Sequence, residues 1–219
     1  MIGILGGTFD PVHFGHLRPA LDVKQALGLD EVRLMPCHVP PHRPQPQASP
    51  QQRTQMLQAA IEGTTGFVVD EREYERDGPS YSLDTLKALR TELPGKTLCL
   101  LVGMDAFRGL PSWHRWRELL DHCHIVVMTR PLAKFPDKGE FAEYIQRHRT
   151  RDAGMLHART GGLLWFQEVT QLEISGTRLR AMLAAGEPAD FLLPARVLEM
   201  IHNHGWYGKT DAGKTETGR

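Results

Sequence analysis

The sequence is short of cysteine, of net charge and of long apolar runs, and each shortage excludes a class of protein. The three cysteines, Cys37, Cys99 and Cys123, are widely spaced and contain no CxxC pair, which argues against a disulfide framework and against a structural zinc site. The 26 basic residues balance 26 acidic ones, so nothing in the overall charge attracts nucleic acid or an anionic membrane. Any phosphate bound by this chain must therefore meet a local site.

The amino terminus has no basic leader and no apolar segment long enough to span a membrane, because its short hydrophobic stretch runs directly into a glycine turn. We therefore expect a cytoplasmic protein without a membrane partner. With 219 residues and 41% hydrophobic content, the chain is long enough for one sizeable core. We expect a single domain over residues 1–207.

Short apolar runs alternate with amphipathic stretches along most of the chain. The runs are typical of buried strands in a parallel sheet and cover residues 2–5, 32–35, 67–69, 98–102, 125–128 and 163–166. Apolar residues at helical spacing predict helices over residues 17–27, 51–61, 82–93 and 116–120, with Ser49 and Pro50 as the cap and first position of the second helix. The alternation predicts the α/β class.

The end of the chain predicts helices rather than strands. Ser175 precedes a helix that stops at Gly186, and a second helix over residues 194–204 stops at Gly205. We therefore expect a small helical part over about residues 175–207. Residues 208–215 match the phosphate-loop pattern GxxxxGK[ST], but that loop requires a strand before it and a helix after it. We interpret residues 208–219 as a disordered polar tail.

A glycine pair and two histidines follow the first predicted strand. Gly6 and Gly7 lie at the edge where open α/β sheets bind ligands, and without side chains they let a phosphate approach the backbone amides. His13 and His16, three residues apart around Gly15, can face the same side of the incoming helix. Two positive or hydrogen-bonding groups then meet one anion. The alternatives are an ordinary tight turn with surface histidines, or a metal site, which the missing glutamate of HExxH disfavours.

A second cluster lies far along the chain, where ISGTRLR occupies residues 174–180. The predicted helix start has free backbone amides, a hydroxyl at the cap (Ser175) and two arginines in its first turns (Arg178 and Arg180). All of these groups can point at one anion. The alternative is an ordinary serine-capped helix with solvated arginines. In combination with the glycine and histidine motif, we favour a phosphate site.

The stretch GGTFDPVHFGH at residues 6–16, together with ISGTRLR, resembles the HxGH and ISSTxxR motifs of the adenylyl-transferring nucleotidyltransferase superfamily. Three further stretches are similar to bacterial nicotinate-mononucleotide adenylyltransferases: VPPHR at residues 39–43, GPSYSLDTL at 78–86, and GMD at 103–105 followed by LPSW at 110–113. One departure is Gly176, where the family often has serine.

The resemblance implies a Rossmann-like open parallel sheet with helices on both faces and a small helical C-terminal part. It also implies a reaction for NAD synthesis, in which ATP and nicotinate mononucleotide give nicotinate adenine dinucleotide and pyrophosphate. Mg²⁺ would arrive with ATP, and no residue is assigned as a metal ligand. The rival readings are a sister enzyme acting on nicotinamide mononucleotide, FMN or phosphopantetheine, and a nucleotide-binding module without catalysis.

The same resemblance assigns roles to residues of this chain. His13, His16 and Arg180 would be catalytic, and the wider ATP site would comprise Gly6, Gly7, Thr8, Phe9, His13, His16, Gly103, Ser175, Thr177 and Arg180. The nicotinate mononucleotide site would comprise Arg43, Tyr81, Ser82, Thr85, Asp105, Trp113 and Arg130. Four acceptor residues have a structural alternative: a solvated loop arginine for Arg43 and Arg130, a core side chain for Trp113, and a helix cap for Ser82. Asp105 has independent support, because it follows a buried strand at the ligand edge.

Overall fold

The computed structural model describes residues 1–40, 44–131, 133 and 135–208. Within these residues one parallel sheet has the strand order β3-β2-β1-β4-β5-β6. Its strands are β1 (Ile2–Gly7), β2 (Glu31–Pro36), β3 (Phe67–Val69), β4 (Leu98–Gly103), β5 (His124–Thr129) and β6 (Leu164–Glu168). The predicted α/β class and the predicted position of every strand are confirmed.

Helices connect successive strands, and the last two helices come after the last strand along the chain. They are α1 (Phe14–Leu27), α2 (Pro50–Ile61), α3 (Ser82–Glu92), α4 (Met104–Arg108), α5 (Leu119–His122), α6 (Glu140–His148), α7 (Gly154–His157), α8 (Gly176–Ala185) and α9 (Ala195–His204). Among the described residues, no helix is both long enough and apolar enough to cross a membrane.

The sheet has an apolar cluster on each face, because successive side chains of a strand point to opposite sides. In β4, Cys99 and Leu101 join the cluster that buries residues of α1, α2, α8 and α9. Leu98, Leu100 and Val102 join the opposite cluster, which buries residues of α3, α4, α5 and α6. The helices therefore cover both faces, and the predicted C-terminal helices pack on the same face as α1.

Most helix ends lie where the sequence predicts them. Ser49 accepts a hydrogen bond from the Gln52 amide at 3.2 Å and caps α2, as predicted. Glycines in the left-handed conformation end the last two helices, Gly186 with φ +73° after α8 and Gly205 with φ +65° after α9. Ser175 occupies the cap position of α8, but its hydroxyl makes no capping hydrogen bond, so the predicted cap is correct in place and wrong in its contact.

Other local predictions are corrected by the structure. The predicted helix over residues 116–120 is a 3₁₀ turn at Trp116–Glu118 that continues into α5. The sequence prediction also missed α4, α6 and α7. α4 and α7 have only five and four residues, too few for a periodic signal. α6 does carry such a signal, because Phe141, Tyr144 and Ile145 pack at helical spacing against the core, and it was overlooked. Residues 209–219, most of the predicted tail, lie outside the described residues.

The strand order reverses at β1, which has β2 on one side and β4 on the other. β1 pairs with β4 over residues 2–4 and 98–100, and Gly7 and Gly103 end the two strands. A reversal of this kind opens a crevice at the carboxyl ends of the strands, where doubly wound sheets bind ligands. The fold thus places the glycine motif at its binding edge.

Candidate active site

A cleft of about 1360 Å³ opens at this edge of the sheet. Every residue of the predicted ATP site lines it: Gly6, Gly7, Thr8, Phe9, His13, His16, Gly103, Ser175, Thr177 and Arg180. So do most residues of the predicted acceptor site, namely Tyr81, Ser82, Asp105, Trp113 and Arg130. Arg43 lies outside the described residues. Segments from distant parts of the chain therefore meet around one space.

The glycine pair at the end of β1 has two different surroundings. A Cβ added to Gly6 would meet no atom within 4 Å, whereas one added to Gly7 would lie 3.1 Å from the ring of Phe9. Phe9 is only 1% exposed and has a left-handed backbone with φ +48°, an unfavourable conformation for a residue with a side chain. Gly7 thus makes room for the turn, while Gly6 faces the open space that a phosphate requires.

The two histidines lie at the start of α1 with stacked rings, 3.7 Å between centroids and 26° between planes. The backbone N–H of His13 donates to Nδ1 of His16 at 3.3 Å. A Cβ on Gly15 would lie 2.9 Å from Nδ1 of His13 and 3.2 Å from the carbonyl oxygen of Leu172. The glycine between the histidines is therefore required for this close packing.

His13 is buried at 5% exposure, and this burial lowers the pKa of its imidazole to about 4. Its Nδ1 is enclosed and has no hydrogen-bond partner among the described residues. Since a group with such a pKa is neutral near pH 7, His13 is a hydrogen-bonding group there and not a positive charge. Of the two possibilities that the sequence left open for this histidine, the structure favours the neutral one.

The second motif approaches the first through Arg180. Its Nη1 donates to the backbone oxygen of Asp10 at 2.6 Å and lies 3.6 Å from the Asp10 carboxylate, while Nη2 donates to Thr177 Oγ1 at 3.4 Å. A Cβ on Gly176 would lie 3.3 Å from the Asp10 backbone oxygen, which is tighter than an ordinary contact. Glycine in place of the family's serine thus lets the start of α8 lie close to the first motif.

Two buried residues that the sequence analysis did not select hold this half of the site together. The Asp10 carboxylate accepts hydrogen bonds from the amides of Gln47 and Ala48 at 2.8 and 3.0 Å. Arg53 of α2 is 1% exposed and donates through Nη1 to the backbone oxygens of Thr8 at 2.9 Å and Cys37 at 2.8 Å. The signal for Arg53 was available, because it shares the buried face of α2 with Met56 and Leu57.

The start of α3 contributes to the acceptor half of the cleft. Tyr81 is the cap residue of α3 and Ser82 its first residue, so Ser82 is not the helix cap that the sequence offered as an alternative. The Tyr81 ring stacks on His114 with centroids 4.4 Å apart. The first amides of α3 therefore lie at the cleft, where a helix start favours a negative group.

Thr85 does not line the cleft with the other predicted acceptor residues. It is 2% exposed, and its hydroxyl donates to Glu73 Oε1 at 2.7 Å and accepts from Arg76 Nη2 at 2.5 Å. Its side chain is thus engaged within the protein by a buried carboxylate. Thr85 lies one turn into α3 and its side chain faces the core, so the structure does not bring it together with the other predicted acceptor residues.

The remaining acceptor residues are more exposed. The side chain of Asp105 is 99% exposed and its carboxylate lies 3.2 Å from Arg108, while Arg130 is 66% exposed and 4.0 Å from Glu173. Trp113 is partly buried and lines the cleft. Trp116, by contrast, is buried in the core at 6% exposure, so of these two tryptophans Trp113 is the one at the cleft.

Comparisons with known proteins agree with this geometry. Residues 4–182 match the cytidylyltransferase-like family. The chain is 52% identical over 208 residues to a protein of Aeromonas salmonicida (strain A449), covering 94% of this chain and 96% of that protein. It is 49% identical over 210 residues to one of Methylococcus capsulatus (strain ATCC 33009 / NCIMB 11132 / Bath), covering 95% and 100%. Both relatives carry the name "Probable nicotinate-nucleotide adenylyltransferase".

The chain belongs to the nicotinate-nucleotide adenylyltransferase family.

A solved structure extends the comparison to the fold of this family. The nicotinic acid mononucleotide adenylyltransferase of Plasmodium falciparum, complexed with NaAD, superposes with a TM-score of 0.69 at 17% identity, covering 94% of this chain and 96% of that one. At this identity the likeness concerns the fold, and it confirms the predicted Rossmann-like architecture. The predicted family and enzyme class, a nucleotidyltransferase of NAD biosynthesis, are confirmed by the full-length relatives. The roles assigned to single residues stay predictions.

Proposed function

We propose that this chain catalyses the reaction for which its family is named, the transfer of the adenylyl group of ATP to nicotinate mononucleotide. The observation that carries the proposal is the meeting of His13, His16 and Arg180 at one cleft beside Gly6. A phosphate chain laid along this edge encounters open backbone, imidazoles, a helix start and a guanidinium group in succession. These are the groups that bind phosphate in proteins.

The chemistry requires no nucleophile from the protein. A phosphate oxygen of the mononucleotide attacks the α-phosphorus of ATP and forms a new P–O bond. The bond between the α-phosphorus and the oxygen that bridges it to the β-phosphate breaks, and pyrophosphate leaves. Catalysis then consists of positioning and charge stabilisation. We assign the α-phosphate to His16, a neighbouring phosphate contact to the neutral His13, and the β,γ end to Ser175, Thr177 and Arg180.

Mg²⁺ enters this scheme as part of the substrate Mg-ATP, bound by the phosphates and water, as is common for this ion. Among the described residues, no group of three or more His, Cys, Asp or Glu side chains is arranged to hold a metal ion. Asp10, the buried carboxylate within the first motif, is already engaged by backbone amides and Arg180. We therefore assign it a structural role and not that of a metal ligand.

On the acceptor side, Trp113 offers a flat face for the pyridine ring, and Arg130 and Arg43 offer positive charge for the mononucleotide phosphate. The amides at Tyr81 and Ser82 open α3, a helix of 11 residues, and a helix start favours a carboxylate. This feature selects nicotinate over nicotinamide. The three cysteines are free, which supports a reducing, cytoplasmic location.

The test is a panel of acceptors with Mg-ATP and the purified full-length chain, in which pyrophosphate release is measured. We expect release with nicotinate mononucleotide to be much faster than with nicotinamide mononucleotide, FMN or phosphopantetheine. Faster release with one of the other acceptors would replace nicotinate by that acceptor. ATP binding without acceptor-dependent pyrophosphate would instead indicate a nucleotide-binding module and overturn the proposed reaction.

A further inference from the structure

The segment that follows α9 reaches the ATP half of the site from behind. The hydroxyl of Tyr207 donates to Oδ1 of Asp10 at 2.7 Å, a contact between residues 197 positions apart. Tyr207 does not line the cleft, whereas Asp10 and Arg180 do. The tyrosine thus contacts the rear of the same carboxylate that faces the guanidinium group of the second motif.

The backbone around Tyr207 is shaped for this contact. Gly205 ends α9 in the left-handed conformation, and Tyr207 itself has φ +61°, which is unfavourable for a residue with a Cβ. Burial, together with the hydrogen bond to Asp10, raises the pKa of the Tyr207 hydroxyl far above its usual range. The hydroxyl is therefore protonated near neutral pH and acts as a hydrogen-bond donor there.

The two carboxylate oxygens of Asp10 can accept only a few hydrogen bonds, and several groups of the protein share them. Gln47 and Ala48 donate to its two carboxylate oxygens, Tyr207 donates to Oδ1, and Arg180 Nη1 lies between Oδ2 and the backbone oxygen. A carboxylate held from three sides cannot rotate to follow a mobile guanidinium. Arg180 Nη1 donates to the backbone oxygen of Asp10 and lies 3.6 Å from its carboxylate, so a fixed Asp10 side chain gives Arg180 a fixed negative neighbour.

From this arrangement we propose that Tyr207 is a positioning residue for the bound nucleotide: it holds the Asp10 carboxylate, which in turn aims Arg180 at the ATP phosphates. The inference deepens the proposed function and depends on Arg180 contacting those phosphates. Tyr207, in the short described segment after α9, accordingly supports the ATP site although it does not line the cleft.

The test is Tyr207→Phe, which removes only the hydroxyl. We expect the dissociation constant for a non-hydrolysable Mg-ATP analogue to rise about threefold to tenfold, the range that corresponds to the net contribution of one typical hydrogen bond. The KM for ATP should rise with it, while the KM for nicotinate mononucleotide stays unchanged. A variant that binds the analogue as wild type does, even if it unfolds more readily, would overturn the inference and leave Tyr207 a purely structural residue.

Tyr144→Phe is the matched control, because it makes the same atomic change at a tyrosine hydroxyl that is buried and has no hydrogen-bond partner among the described residues. Tyr144 packs on Trp116 and Phe141, away from the ATP half. Removal of the Tyr144 hydroxyl should leave the affinity for the Mg-ATP analogue at the wild-type value. An equal rise in both variants would show that the Tyr207 effect is not specific to Asp10, and would contradict the inference.

A double-mutant comparison tests the path through Arg180. In an Arg180→Ala background, Tyr207→Phe should cause no further change in analogue affinity, because the group that it positions is gone. The same fold-change in both backgrounds would overturn this path. If wild type binds the analogue but Tyr207→Phe behaves identically, only the present inference fails. If wild type neither binds the analogue nor releases pyrophosphate in the acceptor panel, the proposed function fails as well.

Discussion

The two halves of the cleft are built in different ways. In the ATP half, Asp10 and Arg180 are in contact although they lie 170 positions apart, and His13 and Arg53 are almost completely buried. In the acceptor half, Asp105 is fully exposed and held mainly through its neighbour Arg108. The protein's own contacts thus orient the groups assigned to ATP, whereas the side chains of Asp105 and Arg130, assigned to the acceptor, are largely exposed.

This contrast has a physical reason. The ATP half must align several groups with a developing negative charge, and groups held in advance require no reorganisation during the reaction. In the proposed reaction the acceptor half must admit one small molecule and reject similar ones, and the charges and the ring assigned to this task are more exposed. The experiments below separate the halves, since each substitution should affect one of them.

The largest effect is expected from His16→Ala. If His16 acts on the charge that develops at the α-phosphate, its loss should lower kcat by about 100-fold to 1000-fold, the range known for removal of one transition-state donor, with little change in the KM for ATP. Steady-state kinetics with varied ATP measures both quantities. An equal loss in ATP affinity would show that His16 contributes to ground-state binding instead.

His16→Gln serves as the control for this experiment. Nδ1 of His16 accepts the N–H of His13 at the start of α1, and glutamine at the same position can accept it as well. The fold of the helix start should therefore be kept in His16→Gln while kcat remains low. Recovery of wild-type kcat in His16→Gln would mean that turnover depends on the hydrogen bond at the helix start and not on the imidazole.

The next effect concerns the burial of His13. The imidazole binds a proton below about pH 6.5 in the unfolded chain but only below about pH 4 in the folded one, so the free energy of unfolding should decrease as the pH falls through this window. Between pH 7 and pH 5 the share of His13 in this loss is about 2 kcal/mol. In His13→Gln that share should be absent. Urea unfolding of both proteins at the two pH values measures it, and parallel losses would argue against a buried neutral imidazole.

The smallest effect is expected from Trp113→Ala in the acceptor half. Loss of ring stacking should raise the KM for nicotinate mononucleotide about twofold to tenfold and leave the KM for ATP unchanged. Trp113→Phe, which keeps an aromatic face, should lie between the variant and wild type. If Trp113→Ala changes the KM for ATP to the same extent, the division of the cleft into two independent halves is wrong.

Much of the fold was predictable because its signals are local. A buried parallel strand is a short apolar run, and all six appear where the runs lie. Helix ends at Gly186 and Gly205 follow from the freedom of glycine to adopt the left-handed conformation. The short helices α4 and α7 were missed because four or five residues carry no period, whereas α6 was missed although Phe141, Tyr144 and Ile145 follow the helical spacing.

The residues of the candidate site that belong to sequence motifs could be predicted from the sequence. All ten predicted ATP residues line the cleft, because a motif near a strand end and a motif at a helix start each carry a local reason to face a ligand. Thr85 shows the limit of this reasoning. It lies in a matching stretch, but its hydroxyl meets Glu73, a contact that depends on how α3 packs against another segment.

The sequence by itself therefore determined the class of fold, the family and the residues that line the ATP half of the cleft, since these depend on neighbouring residues. Only the tertiary structure decided which of these groups are neutral, how they are held, and what stands behind them. The pKa of His13 results from burial, and the links from Tyr207 to Asp10 and from Asp10 to Arg180 join residues at opposite ends of the chain. Contacts and burial of this kind arise from packing in three dimensions, and no local pattern in the chain contains them.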